Sequence, residues 1–96
     1  MNQHVICIAT FHAKPGQEQA LKQALMALVP QTRKESGCLS YELCQKQDDA
    51  RTLTMLEKYQ DRAAYDFHGK QAYLAHLVEQ LPALTVDFSI DVYQPA

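Results

Sequence analysis

Apolar positions along this chain recur with two periods, and the switches between them mark its elements. Residues 4–12, HVICIATFH, are rich in β-branched and aromatic side chains and read as a first strand. KPGQEQ follows, where Pro15 suits the first turn of a helix because its missing N–H does no harm there. Leu21, Ala24, Leu25 and Leu28 then fall at i, i+3, i+4 and i+7, one face of that helix. Pro30 is expected to kink or end it, with helical turns resuming through QTRKE. Gly37 in SGC is a stop signal. Residues 38–46 read as a second strand with Leu39, Tyr41 and Leu43 on one face, KQDDAR as a hairpin loop, and residues 52–59, TLTMLEKY, as a third strand. Asp61 is a suitable N-cap for a second helix, which Gly69 interrupts. Leu74, Leu77, Val78 and Leu81 form another apolar stripe, and Pro82 is expected to end it. Val86, Phe88, Ile90 and Val92 then alternate with Thr85, Asp87, Ser89 and Asp91 along a final strand.

The order β-α-β-β-α-β predicts a single α+β domain over residues 1–96, a ferredoxin-like split βαβ fold with an antiparallel sheet. Both helices should cover one sheet face. Strand 1 is apolar on both of its faces, with Ile6 and Ile8 on one and Val5, Ala9 and Phe11 on the other. Strand 3 sets Leu53 and Met55 against Leu56. A two-layer domain would leave the second face wet, so a second copy packed across a two-fold axis is expected to cover it.

Composition narrows the partners. The formal net charge is -2 and no basic run is present, which argues against nucleic acid or an anionic membrane surface. The longest unbroken apolar run, ALMALV, is far short of the roughly 20 residues of a spanning helix. The start, MNQHVICIATF, shows no basic region, long apolar stretch or small-residue cleavage site. Of the three cysteines, Cys38 and Cys44 share a strand face but lie about 20 Å apart, beyond the roughly 7 Å a disulfide spans. Reduced thiols and a cytoplasmic location are expected.

Two histidines raise the question of chemistry. His76 falls opposite the Leu74/Leu77/Val78/Leu81 stripe and reads as a solvated surface residue. His68 stands at i+4 from Ala64 and is expected to share an inward face with Ala64 and Phe67, beside Gly69. Glu57 and Tyr59 lie on the strand face that carries Leu53 and Met55. A carboxylate there must be hydrogen-bonded or wet, because burying it alone is expensive. It either has a structural partner or lines a pocket. No HxxxH or CxxC spacing supports a metal site, and no GxSxG, P-loop or GxGxxG is present. Cys38, just after Gly37, reads as a small buried residue rather than a nucleophile.

Three blocks, KPGQEQALKQAL, TRKESGCLSYEL and EKYQDRAAYDFH, resemble in order and spacing the antibiotic biosynthesis monooxygenase family. The resemblance covers nearly the whole chain. It implies a dimeric ferredoxin-like α+β barrel that oxidises phenols or quinols with O2, using no flavin, metal or haem. Relatives include haem-degrading enzymes and a small isomerase of the autoinducer-2 pathway. Glu57 and His68 match the family's strand 3 glutamate and helix 2 histidine. Tyr59 stands where many members have tryptophan, and Tyr73 where many have a second histidine. The chain has no tryptophan, which counts against the haem-degrading branch.

Ground-state O2 reacts slowly with neutral closed-shell molecules, while an ionised phenol is a far better electron donor. An unperturbed histidine titrates near pH 6.5, so it can take the required proton near neutral pH. The resemblance therefore implies a homodimeric, cofactor-independent monooxygenase acting on a quinol-like or polyphenolic substrate. His68 is expected as its base, with Glu57, Tyr59, Tyr65 and Tyr73 around the substrate. An isomerase of a small hydroxyketone would use the same base. A non-catalytic, ligand-binding dimer is the third reading.

Overall fold

A computed structural model describes residues 2–96. Its elements are β1 (Val5–Ala13), α1 (Glu18–Met26), α2 (Leu28–Arg33), β2 (Cys38–Lys46), β3 (Asp49–Tyr59), α3 (Arg62–Gly69), α4 (Ala72–Leu84) and β4 (Thr85–Tyr93). The strands form one antiparallel sheet in the order β2-β3-β1-β4. This is the expected ferredoxin-like α+β arrangement, with each helical region divided in two.

The divisions have local causes. Pro15 lies ahead of α1 rather than in its first turn. It occupies a tight turn in which the Gln17 N–H donates to the Lys14 carbonyl at 2.9 Å, and Gly16 takes φ 84°. A type II turn requires positive φ at that position, which glycine adopts without strain. The first helical region breaks at Ala27, not at Pro30. Pro30 then falls in the first turn of α2, where no intrahelical N–H is needed. Pro82 does not end α4, which runs on to Leu84. The Thr85 hydroxyl donates to the Leu81 carbonyl at 2.7 Å, and β4 starts there with no intervening loop.

The β2–β3 hairpin is tighter than the expected six-residue loop, because Lys46 already pairs with Asp49. The Asp49 carboxylate accepts from the Arg51 N–H at 3.1 Å and the Thr52 hydroxyl at 2.6 Å. Leu39 departs from the expected alternation. The register shifts between Cys38 and Ser40, and Leu39 is exposed while Tyr41 is buried.

Val5, Cys7, Ala9, Phe11 and Ala13 of β1 are buried, as are Leu53, Met55, Glu57 and Tyr59 of β3. The helices supply Leu21, Leu25, Leu28, Leu77 and Leu81 to this core. Each fully buried leucine contributes about 1.5–3 kcal/mol. Val78, expected in the buried stripe, is 52% exposed. Phe88, Ile90 and Val92 of β4 pair with Phe11, Ala9 and Cys7, yet remain about half exposed, because the helical layer leaves this edge open.

A close approach sets the site. A Cβ on Gly37 would lie 2.3 Å from the Ala64 Cβ, so glycine lets the lead-in to β2 run against α3. Glu35, just before Gly37, is thereby brought beneath α3.

A buried histidine between two carboxylates

Asp61 starts α3 as expected. Its backbone is extended, and its carboxylate accepts the Ala64 N–H at 2.8 Å. From there Ala64, Tyr65 and His68 turn towards the sheet. Phe67 does not: it is 55% exposed, which corrects the expectation that it shares the His68 face. At 100° per residue, Phe67 falls well to one side of the arc that holds Ala64, His68 and Tyr65.

The His68 side chain is 5% exposed and lies between two carboxylates. Its Nδ1 is 3.0 Å from Glu35 Oε2, and its Nε2 is 3.8 Å from Glu57 Oε1. Glu35 Oε2 also accepts the Tyr73 hydroxyl. Glu57 Oε1 accepts the Tyr59 hydroxyl at 2.7 Å. The rings of Tyr41 and Tyr59 pack on the imidazole at 5.6 and 5.3 Å between centroids. Two donors thus converge on one Glu35 oxygen. A carboxylate only accepts, so His68 Nδ1 carries a proton in this contact, and Nε2 is the ring nitrogen on the Glu57 side.

Burial is the main influence on the titrating groups. It pushes the Glu57 carboxyl above the usual range, against the opposing effects of the Tyr59 hydroxyl, His68 and Cys7. Burial, then the charge of Glu57, raises the Cys7 thiol to about 12. Burial and the neighbouring Cys7 raise Tyr65 to about 12. Tyr41, Tyr59 and Tyr73 are raised as well, chiefly by burial. These phenols stay protonated near neutral pH and act as hydrogen-bond donors.

A cavity of about 400 Å³ opens between the sheet and helices α3 and α4. Glu57, Tyr65 and His68 lie on its wall. Tyr59 and Tyr73, also expected around a substrate, do not. Tyr59 is fully buried and holds Glu57, while Tyr73 holds Glu35. His76 is exposed on α4, away from this cavity.

Glu35, Tyr41 and Cys7 were not singled out by sequence. Tyr41 could have been, since it faces the helices from β2 and pairs with Glu57. Glu35 carries no such signal, because KESG reads as an ordinary polar helix end. Among the described residues, no group of three His, Cys, Asp or Glu side chains is placed to hold a metal ion. All three cysteines are free thiols. No helix is long and apolar enough to cross a membrane.

Comparison with known proteins adds independent information. The family model described as antibiotic biosynthesis monooxygenase matches residues 4–80. The Mycobacterium tuberculosis protein named "Putative monooxygenase Rv0793" is 34% identical over 96 residues, covering 99% of this chain and 94% of its own length. The Bacillus subtilis protein named "Putative monooxygenase YcnE" is 31% identical, covering 77% of this chain and 78% of its own. The crystal structure of protein SO0527 from Shewanella oneidensis superposes with a TM-score of 0.95 at 38% identity, covering 99% of this chain and 93% of that one.

Proposed function

We propose, from the premise that this chain belongs to the antibiotic biosynthesis monooxygenase family, that it oxidises a quinol-like or polyphenolic substrate with O2 and needs no cofactor. The observation that carries this reading is the buried Glu35–His68–Glu57 line, with His68 and Glu57 on the wall of a mostly apolar cavity. His68 Nε2 takes the phenolic proton, and the resulting phenolate donates electrons to O2. For a quinol the balance is quinol plus O2 giving hydroxyquinone plus water. The substrate loses four electrons, one oxygen atom enters the ring, and the other leaves as water. The apolar side chains that line the cavity reduce the water around the reacting centre.

The runner-up, an isomerase of a small phosphorylated hydroxyketone, would use the same base. It would also want converging cations for the phosphate, and Lys70 is the single Lys or Arg on the cavity wall among the described residues. A purely ligand-binding dimer gives no reason to place a histidine between two buried carboxylates, whose desolvation is costly.

The working form in this reading is a homodimer. Ile6, Ile8 and Leu56 leave apolar surface on the sheet face away from the helices, and Leu56 is 40% exposed. Sedimentation equilibrium at micromolar concentration should give about twice 10.9 kDa. The free thiols suit a reducing compartment such as the cytoplasm. An oxygen electrode with a panel of quinols tests the activity. Uptake that depends on both protein and quinol, in metal-free and flavin-free protein, is the expected result. No uptake across the panel would overturn it.

A further inference from the structure

His68 touches two carboxylates, and each carboxylate leads on to a tyrosine. The two arms end differently. Glu57 accepts from Tyr59, which is fully buried, so that arm stops inside the protein. Glu35 accepts from Tyr73, which is half-buried. Tyr73 also stands on the wall of a second cleft, among α1, α2 and α4. Leu28 and Leu77 line both this cleft and the substrate cavity, and so partition them. Gln23, Gln31 and His76 are exposed on the walls of the cleft, which is therefore open to water.

Glu35 is unevenly used. Its Oε2 takes both the His68 Nδ1 contact and the Tyr73 hydroxyl. Its Oε1 is buried and has no hydrogen-bond partner among the described residues, nor has the buried Thr32 Oγ1 three residues earlier. A carboxylate that served only to hold the imidazole would gain by pairing both oxygens, since an unpaired buried acceptor is costly. The free oxygen gives an arriving proton a place to rest. We propose that Glu35 and Tyr73 form a proton relay that links His68 to water in the α1–α2–α4 cleft, behind the substrate cavity. The proton on Nδ1 passes to Glu35. The Tyr73 oxygen then accepts it from the carboxyl as the Tyr73 hydroxyl gives its own proton to water in the cleft. One O–H bond forms as another breaks. The phenol is neutral before and after, so the burial that keeps it protonated is no obstacle. Run in reverse, the same path returns a proton. It lets His68 reset while a substrate covers its Nε2 side. That use in turnover rests on the proposed oxidation; the path itself does not.

Nuclear magnetic resonance on protein with ¹⁵N-labelled histidine tests the path without any substrate, by the rate at which the His68 Nδ1–H exchanges with solvent. Tyr73→Phe keeps the ring and removes the hydroxyl. It should slow this exchange by roughly 10²-fold, the lower end of what a positioned proton-transfer group contributes, and leave Nδ1 protonated. Ala27 is exposed on the cleft wall, so Ala27→Phe should fold and slow the exchange by covering the exit while the Glu35–Tyr73 contact stays in place. Backbone amide exchange in α3 and α4, read on the same samples, should be unchanged. A wild-type rate in folded Tyr73→Phe would overturn the relay. So would slowing that comes with a lost Nδ1 proton, or that follows the backbone amides, because Tyr73 would then only position Glu35. If Tyr73→Phe does not fold, Ala27→Phe decides, and an unchanged rate there overturns the proposal. Slowed exchange with no O2 uptake by the wild type would uphold the relay and sink the monooxygenase reading. O2 uptake with unchanged exchange would do the reverse.

Discussion

His68 and Glu35, 33 residues apart in sequence, meet through a 3.0 Å contact from Nδ1 to Oε2, with both side chains about 5% exposed. The consequence is directional. A carboxylate at Nδ1 leaves Nε2 as the nitrogen able to take a proton from the cavity side. Glutamine at position 35 can present its NH2 instead, which would draw the proton to Nε2. Glu35→Gln should therefore shift the ¹⁵N signature of His68 from a protonated Nδ1 towards a protonated Nε2. Turnover should fall by roughly 10²–10⁴-fold, the worth of a general base in the correct state. A wild-type signature in folded Glu35→Gln would show that Glu35 does not set the tautomer.

Gly37 governs the same relationship from the backbone. An added Cβ would sit 2.3 Å from that of Ala64, far inside van der Waals contact. Gly37→Ala should push α3 away from the β2 lead-in and cost about 1–3 kcal/mol of stability, the range for overpacking. The double variant Gly37→Ala/Ala64→Gly removes the clash and should recover part of that loss. Urea denaturation of the three proteins checks both expectations. Additive losses in the double variant would mean that the contact is not the cause.

These two relationships mark the boundary of what sequence could reveal. Alternation gave β2 its bounds, residues 38–46, and Asp61 announced the start of α3, because both signals are local. The helix breaks are less legible. Proline disturbs the turn before it, so Pro30 moved the break upstream to Ala27, while α4 carried Pro82 to Leu84. The inward turn of His68 followed from spacing, but the outward turn of Phe67 did not, since an eight-residue helix has too narrow a buried arc for every apolar residue. Glu35 was invisible for a different reason. It gains its environment only when Gly37 passes Ala64, a contact between segments that no local pattern encodes.

Glu57 links the site to stability through pH. Burial raises its carboxyl in the folded protein above the unfolded value. The folded state therefore holds this proton more tightly than the unfolded state does. Below the unfolded value both states are protonated and the group costs nothing. As pH rises past it, the unfolded chain ionises first, and stability falls until the folded carboxyl also ionises. Glu57→Gln keeps an acceptor for the Tyr59 hydroxyl but cannot ionise. Its stability relative to wild type should therefore increase between pH 4 and pH 7. Chemical denaturation across that range tests the sign; a relative stability that falls with pH would mean the carboxyl is favoured as its anion.

The two helical histidines offer the sharpest comparison. His68 is 4% exposed and lies on the cavity wall, while His76 is exposed on α4. If His68 is the base, its replacement should slow quinol oxidation by roughly 10²–10⁴-fold. Alanine is a poor probe, because it opens a void between Tyr41 and Tyr59 and strips Glu35 and Glu57 of a shared neighbour, so lost folding would imitate lost catalysis. Glutamine keeps most of the volume and both hydrogen-bonding roles, yet cannot take a proton near neutral pH. Folded His68→Gln should retain affinity for hydroquinone under anaerobic conditions while losing turnover. His76→Gln should match wild type in both. Melting temperatures measured beside the rates separate chemistry from stability. Wild-type turnover in folded His68→Gln, or a slower His76→Gln, would return His68 to a packing role and move the base elsewhere on the cavity wall, with Glu57 the next group to test.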